Sequence, residues 1–313
     1  MSSQLVDVAL PVPLPRTFSY RHDPADEGPR RRVAKGDLVV VPFGRRREVT
    51  GLVTGVAGLE DGVTTHEGVA LKPVVRVHGI EYRVAGDRLR LARWLADYYM
   101  LPLGEVVPLF HPPAPGTGRR GEDEPADAFP DVDAGPVTLT AAQQAALAAA
   151  VAPLEEGRFA PLLLHGVTGS GKTEVYLALI ARALELGRSA LYLLPEIALT
   201  PQTLARIHAR FGDRAAAIHS GLSAGQRCRV HEAAARGEVR VVVGPRSALF
   251  APVVDLGVIV VDEEHESSYK QDEKPRYHAR HAALVRGREA GAVVMLGSAT
   301  PDLESERNAR EGR

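Results

Sequence analysis

Cysteine is nearly missing from this chain: Cys228 is the single example in 313 residues. No disulfide can close within the chain and no zinc site of the four-cysteine kind can form, which fits a reducing compartment. An excess of charge is also lacking. Lys and Arg number 38 against 39 Asp and Glu, a net of −1, so any binding to nucleic acid has to come from local patches. The apolar runs fall far short of the ~20 residues that span a bilayer. The opening MSSQLVDVALPVPLPRTFSY carries no basic start ahead of an apolar core. The expectation is a soluble, cytoplasmic protein with no membrane partner.

Apolar residues are plentiful, at 45% of the chain, enough for a substantial core. At roughly 100 to 200 residues per domain the length predicts two folded units. Between them, residues 111–137 hold six prolines, four glycines and six acidic residues with almost no apolar periodicity. Such a stretch cannot offset its ordering entropy by burial, and it reads as a linker. Residues 1–110 form short β-runs, LVDVALPVP, DLVVVPF, EVTGLVTGV and LKPVVRV, punctuated by Gly and Pro. They predict a small barrel or sandwich. One helix follows in GDRLRLARWLADYYM, with Leu89, Ala92, Leu95 and Tyr99 at helical spacing toward the sheet. The triplets Arg30–Arg32 and Arg45–Arg47 fall near turns, as a basic rim for DNA or as solvated loop charge.

Residues 138–313 alternate differently. Apolar runs PLLLHG, ALYLLP, AAAIHS, VRVVVG, VIVVDEE and VVMLGSAT are separated by helical segments such as 172–186 and 203–211. Strand then helix, repeated, predicts an α/β fold with a parallel sheet covered on both faces. Within it Gly166, Val167, Thr168, Gly169, Ser170, Gly171, Lys172 and Thr173 fit G-x-x-x-x-G-K-[ST] between a strand and a helix. In such a loop backbone N–H groups converge on phosphates, Lys172 reaches the β and γ phosphates and Thr173 holds Mg²⁺. About ninety residues on, Asp262 and Glu263 end another buried strand, where ligands of open α/β sheets collect. Asp262 suits the surroundings of Mg²⁺, and Glu263 suits the base that orients an attacking water. In HESSYKQDEKPRYHAR, Tyr269, Lys270, Arg276, Tyr277, His278 and Arg280 interleave rings with cations, a pattern suited to stacking unpaired bases while tracking a backbone.

Asp-Glu-Glu-His at 262–265 and the closing GSATP resemble the DExH box and third motif of superfamily 2 helicases. The ordered set GVTGSGKTEVY, PEIALTPQ, HSGLS, RSALF, DEEHESSYKQ, PRYHARH and GSATP is similar to the PriA family of replication restart helicases. So are VALPVPLPRTFSY and VPFGRR, which look like that family's domain for the 3′ end of a nascent strand. The resemblance implies a 3′-to-5′ DNA helicase using ATP and Mg²⁺, acting on forks, 3′ ends and single strands. Its partners would be primosome and replicative-helicase-loading proteins and single-strand-binding protein. By residue, it implies adenine reading at Gln143 and DNA contacts at Thr200, Gln202, Arg246 and Ser247. It makes the HESSYKQDEKPRYHAR segment, 265–280, the aromatic-rich loop that couples single-stranded DNA to ATP turnover. His265, Ser298 and Thr300 would link nucleotide state to DNA grip, and Phe18, Tyr20, Gly36 and Lys72 would surround the terminal nucleotide.

Departures from the family accompany the match. Ser19 stands where relatives often have aspartate, and Pro275 where some have tryptophan. The family's winged helix is replaced by the acidic linker, and its second RecA-like lobe, arginine finger and zinc-binding cysteines do not occur among these residues. ATP in this superfamily sits between lobes, with an arginine from across the cleft worth ~10³ to 10⁵ in related phosphoryl transfers. The expectation is therefore a first lobe, 138–313, that binds DNA and weakly binds nucleotide without unwinding. Two other readings stay open: a fork-binding adaptor of the primosome, and a P-loop ATPase acting on something other than DNA.

Overall fold

The computed structural model describes residues 3–24, 32–44, 46–60, 63–111 and 138–312. The linker expected over 111–137 lies, but for His111, outside them, as do Arg30, Arg31 and Arg45 of the two basic triplets. The chain divides into two compact units, the first running to His111 and including Glu273–Pro275, the second holding the remaining residues.

In the first unit alternation does what it dictates. Along Gln4–Ala9, Val6 and Val8 point into the core and Asp7 points away. This strand pairs antiparallel with Phe18–His22 on one side and Arg46–Gly58 on the other, and Leu38–Phe43 continues the sheet. LKPVVRV reads as one strand but divides into two. Pro73 lacks an N–H, and the segment turns after Lys72–Pro73 pairs with Phe18–His22, so that Arg76–Val77 pairs with Leu38–Phe43. The N–H of Val74 donates to Arg21 O and that of Val75 to Val40 O. One short segment thus joins both edges of the sheet, as closure into a barrel requires.

The helix Gly86–Tyr98 presents Arg88, Leu91, Ala92, Leu95 and Ala96 inward, while Leu89 and Tyr99 are half-buried. The buried face differs from the expected one because Arg88 is taken in. Its guanidinium donates to Arg83 O and Phe110 O, each at 3.1 Å.

The second unit carries a six-stranded sheet in the order Ala215–Ala217, Val241–Gly244, Ser189–Leu193, Leu256–Val261, Val293–Ser298, Ala160–His165, every pair parallel. Leu256–Val261 is buried along its whole length, as a strand covered on both faces must be. Register aligns the strand ends. Leu193 pairs with Val261, Val261 with Leu296, and Ser298 with His165, so the carboxyl ends of four neighbouring strands open on one edge. The helix Pro201–Phe211 begins two residues before the expected 203, because Thr200 caps it with Pro201 in its first turn. Ala141–Glu155 starts on a capping box of Thr140 and Gln143. Among the described residues no helix is long and apolar enough to cross a membrane.

Candidate functional site

The strand Ala160–His165 ends at Gly166, whose N–H donates to Ser298 O at 3.1 Å. The loop turns through Gly169 and Gly171, both at φ +78°, a region only glycine enters without strain. Gly171 then caps the helix Lys172–Glu185, whose first N–H groups and dipole favour an anion. Lys172 Nζ donates to Gly166 O at 2.8 Å and Val167 O at 3.4 Å. The N–H of Ser170 donates to Val167 O at 3.1 Å.

Thr168, Gly169, Gly171, Lys172, Thr173, Arg206, Asp262 and Glu263 line one cavity of about 300 Å³. The fold thus brings together the loop and the acid pair ninety residues apart in sequence. An ammonium, converging amides, a hydroxyl and two carboxylates are the donor set a magnesium-bound triphosphate needs, so the residues fit that group.

Asp262 is mostly buried. Its Oδ1 accepts from Tyr176 OH at 3.1 Å and from the Glu263 N–H at 3.0 Å, and its Oδ2 from Tyr192 OH at 3.5 Å. Burial, with the neighbouring Glu263 charge, raises the Asp262 carboxyl despite those donors. Burial first, and then Asp262, push the hydroxyls of Tyr176, Tyr192 and Tyr269 well up, so all three remain donors. Glu263, by contrast, is about one-third exposed at φ +45°, a left-handed turn that swings it from the strand end toward the cavity.

Sequence spacing does not reveal Tyr176, Tyr192 or Arg206. Tyr176 offers one signal: it stands four residues after Lys172 on a helix face that packs inward, and a buried phenol needs a partner. Arg206 pairs with Glu174, a buried carboxylate in the first turn of the helix after the loop.

Gln143 lies against the loop. Its Nε2 donates to Ser170 O at 2.9 Å and its Oε1 accepts from the Thr140 N–H at 2.8 Å. The amide thus serves the capping box and the loop; TLTAAQ contains that box in plain view.

His265 Nδ1 lies 2.7 Å from Ser298 Oγ and 3.7 Å from Glu263 Oε2, and its Nε2 lies 3.5 Å from Thr300 Oγ1. The Thr300 N–H donates to Ser298 Oγ at 3.0 Å. His265, Ser298 and Thr300 therefore form one network beside the acid pair. Glu264 does something else: it is fully buried, accepting from Arg280 at 2.7 Å, Ser305 Oγ at 2.9 Å and the Asp302 N–H at 2.7 Å.

Two DNA-stacking expectations are corrected. Tyr269 and Tyr277 are only 1% and 2% exposed, and a base needs an open ring face. Tyr269 OH donates to Asp262 O at 2.7 Å, while Tyr277 meets Phe250 edge-on with centroids 5.2 Å apart. Alternation of rings with cations marked the segment, but the rings turned inward. Arg280 is likewise buried, on Glu264. Lys270 and Arg276 are exposed. Arg246 donates to Ser268 O at 2.9 Å and Lys270 O at 3.2 Å, holding the turn beneath them. Thr200 Oγ1 accepts from the Thr203 N–H, and Gln202 and Ser247 are exposed. Tyr269→Phe is expected to leave DNA affinity unchanged and cost about 1 kcal/mol of stability, as a DNA titration beside a urea melt would show.

In the first unit Tyr20 is a core residue, its hydroxyl on Pro42 O at 3.3 Å, which removes its ring from a surface pocket. Phe18 is half-buried, edge-on to Phe43 at 4.8 Å with the Arg16 guanidinium 4.9 Å from its centroid. Lys72 is exposed, paired across strands with Tyr20. Ser19 Oγ donates to Asp7 Oδ1 at 2.8 Å. Gly36 has φ +92°, and a Cβ there would lie 2.3 Å from Val84 O. Gly36→Ala is expected to destabilise this unit by about 1–3 kcal/mol, read by urea unfolding, whatever its effect on DNA.

The DEAD/DEAH box helicase model matches residues 140–309. The chain belongs to the DEAD/DEAH box helicase family. Its second unit is therefore a RecA-like helicase lobe, and a 3′DNA-binding domain model matches residues 7–112. The chain is 51% identical over 177 residues to the replication restart protein PriA of Bacillus subtilis, covering 56% of this chain and 22% of that one. It is 43% identical over 220 residues to PriA of Chlamydia pneumoniae, covering 70% and 27%. With PriA of Treponema pallidum it shares 36% over 304 residues, covering 96% and 44%. This DEAD/DEAH box chain thus spans less than half the length of these relatives, and the order of its two matched regions fits an amino-terminal portion of PriA.

Proposed function

We propose that these residues are the amino-terminal part of a replication restart helicase. It is an ATP-dependent 3′-to-5′ DNA motor of the cytoplasm that recognises stalled or D-loop forks and helps reload the replicative helicase. The observation that carries the reading is the meeting, at one sheet edge, of the phosphate loop, the acid pair and the His265–Ser298 network. The 3′DNA-binding and PriA similarities support the choice of DNA as track.

ATP with Mg²⁺, when bound, supplies the phosphoanhydride whose hydrolysis drives the motor. Lys172 and the amides of residues 169–173 neutralise and orient its phosphates. Thr173 and Asp262 would hold the magnesium shell, and Glu263, on the same cavity, would accept the proton of the attacking water. Glu263 is partly exposed while Asp262 is held by buried tyrosines, an arrangement that separates the roles of two adjacent carboxylates. His265 lies 3.7 Å from Glu263 and 2.7 Å from Ser298 Oγ, and through that link passes the state of Glu263 to the strand Val293–Ser298. Lys270, Arg276, Gln202 and Ser247 contact DNA phosphates, which position rather than specify. Thr200 and Arg246 shape the loops that carry them. Phe18 and Lys72 meet the 3′ end of a nascent strand. Primosome proteins, helicase loaders and single-strand-binding protein are the partners this role requires.

Fluorescence anisotropy with forked DNA tests the proposal. A fork with a free 3′ end is expected to bind more tightly than blunt duplex, with affinity falling as salt rises. Equal affinity for both would overturn the 3′-end reading, and no affinity for either would favour a P-loop ATPase with another target.

A further inference from the structure

Three tyrosines from three separate elements converge on Asp262. Tyr176 comes from the helix Lys172–Glu185, Tyr192 from the strand Ser189–Leu193 and Tyr269 from the turn after the acid pair. All three are at most 1% exposed. Tyr269 fixes the Asp262 carbonyl, whereas Tyr176 and Tyr192 address the two carboxylate oxygens. Thr173 also interacts with Tyr192, so the hydroxyl and the carboxylate that line the cavity share a neighbour.

The path to Asp262 is specific. A Cβ on Gly297 would lie 1.6 Å from the Tyr176 hydroxyl oxygen and 2.6 Å from its Cζ. Any side chain at 297 and the Tyr176 ring therefore compete for one space. Gly297 opens the GSATP turn, and its carbonyl accepts from the Glu264 N–H at 3.0 Å.

We infer that Tyr176 and Tyr192 are positioning residues that hold the Asp262 carboxylate toward the magnesium shell, and that Gly297 is the opening that admits Tyr176. This rests on the nucleotide-binding reading above. Buried carboxylates around a metal are ordinarily oriented by such donors, and their removal costs 10- to 100-fold in affinity. Tyr192, with the longer contact, contributes less than Tyr176. A shift of the strand Val293–Ser298 also reaches Asp262 through the Gly297 contact.

The test is titration of a fluorescent ATP analogue into the chain, once with Mg²⁺ and once with EDTA. For Tyr176→Phe, affinity is expected to fall about tenfold in Mg²⁺ and stay unchanged in EDTA, with a smaller Mg²⁺-specific loss for Tyr192→Phe. Gly297→Ala is expected to produce the same Mg²⁺-specific loss, and combining it with Tyr176→Phe to add little. Thermal unfolding of the two Phe variants within a few degrees of the unsubstituted chain separates positioning from structural damage. Tyr176→Phe with undiminished Mg²⁺ dependence, or with equal losses in Mg²⁺ and EDTA, overturns the inference. Failure of the nucleotide reading looks different: the unsubstituted chain would show no affinity for the analogue, or Lys172→Ala would bind it as tightly as the unsubstituted chain, and the inference would fall with it.

Discussion

Lys172→Ala is expected to weaken ATP binding roughly 10- to 150-fold, the equivalent of about 1.5–3 kcal/mol for hydrogen bonds from a charged donor. The ammonium now rests on Gly166 O and Val167 O, which places it inside the curve of the loop. Those carbonyls are modest partners for a full charge, and the phosphates are stronger ones. The fold should tolerate the change, since Lys172 sits at a helix start whose cap is Gly171 and is partly open to solvent. Calorimetric titration of nucleotide into the substituted and unsubstituted chains checks the effect. A matching thermal melt and an unchanged affinity for forked DNA would show that the loss belongs to the nucleotide site.

Glu264→Ala is expected to be far more damaging to the fold than Glu263→Ala, although the two stand side by side. Glu264 is 0% exposed and holds Arg280, Ser305 Oγ and the Asp302 N–H at once. Arg280 keeps secondary contacts to Asp302 at 3.5 Å and Glu304 at 3.2 Å, but these partners are partly or largely exposed. Removing one member of a buried pair leaves the other charge uncompensated, at about 3–5 kcal/mol, a large share of a total near 5–15. Urea unfolding should show that loss. Glu264→Gln should cost less, because the amide oxygen still accepts from the Asp302 N–H and the amide NH2 donates to Ser305 Oγ in a reversed hydrogen bond. The Glu304 N–H, and then Arg280, hold the Asp302 carboxyl below its usual range. Its contribution is present at neutral pH and is lost as pH falls through that lowered pKa. Glu263→Ala should leave the same urea melt nearly unchanged.

The contrast between these neighbours explains how much a sequence reader could see. Asp-Glu-Glu-His announces a strand end rich in carboxylates, and the loop at 166–173 announces phosphate; parallel register then brings the two together without further information. Which glutamate faces the cavity is not written locally. It depends on the left-handed turn at Glu263 and on Arg280 and Ser305 arriving from 16 and 41 residues away. Tyr269 and Tyr277 mislead for the same reason. Their alternation with cations resembles an open stacking surface, yet Asp262 O and Phe250 supply inward partners that periodicity cannot show. In the first unit the period-two spacing of Phe18 and Tyr20 indicates a shared face, and that face proves to be toward the core. LKPVVRV looked like one strand because its apolar content outweighs Pro73 in a simple reading, but the missing N–H lets the segment cross from one edge of the sheet to the other.

A crystal structure of the chain with Mg²⁺ and a non-hydrolysable ATP analogue tests the central claim most directly. The account predicts phosphate oxygens on the amides of residues 169–173, Lys172 Nζ drawn from Gly166 O onto them, and the metal facing Thr173 and Asp262. Nucleotide bound elsewhere, with Lys172 still on Gly166 O and the cavity beside Asp262 unfilled, would contradict it.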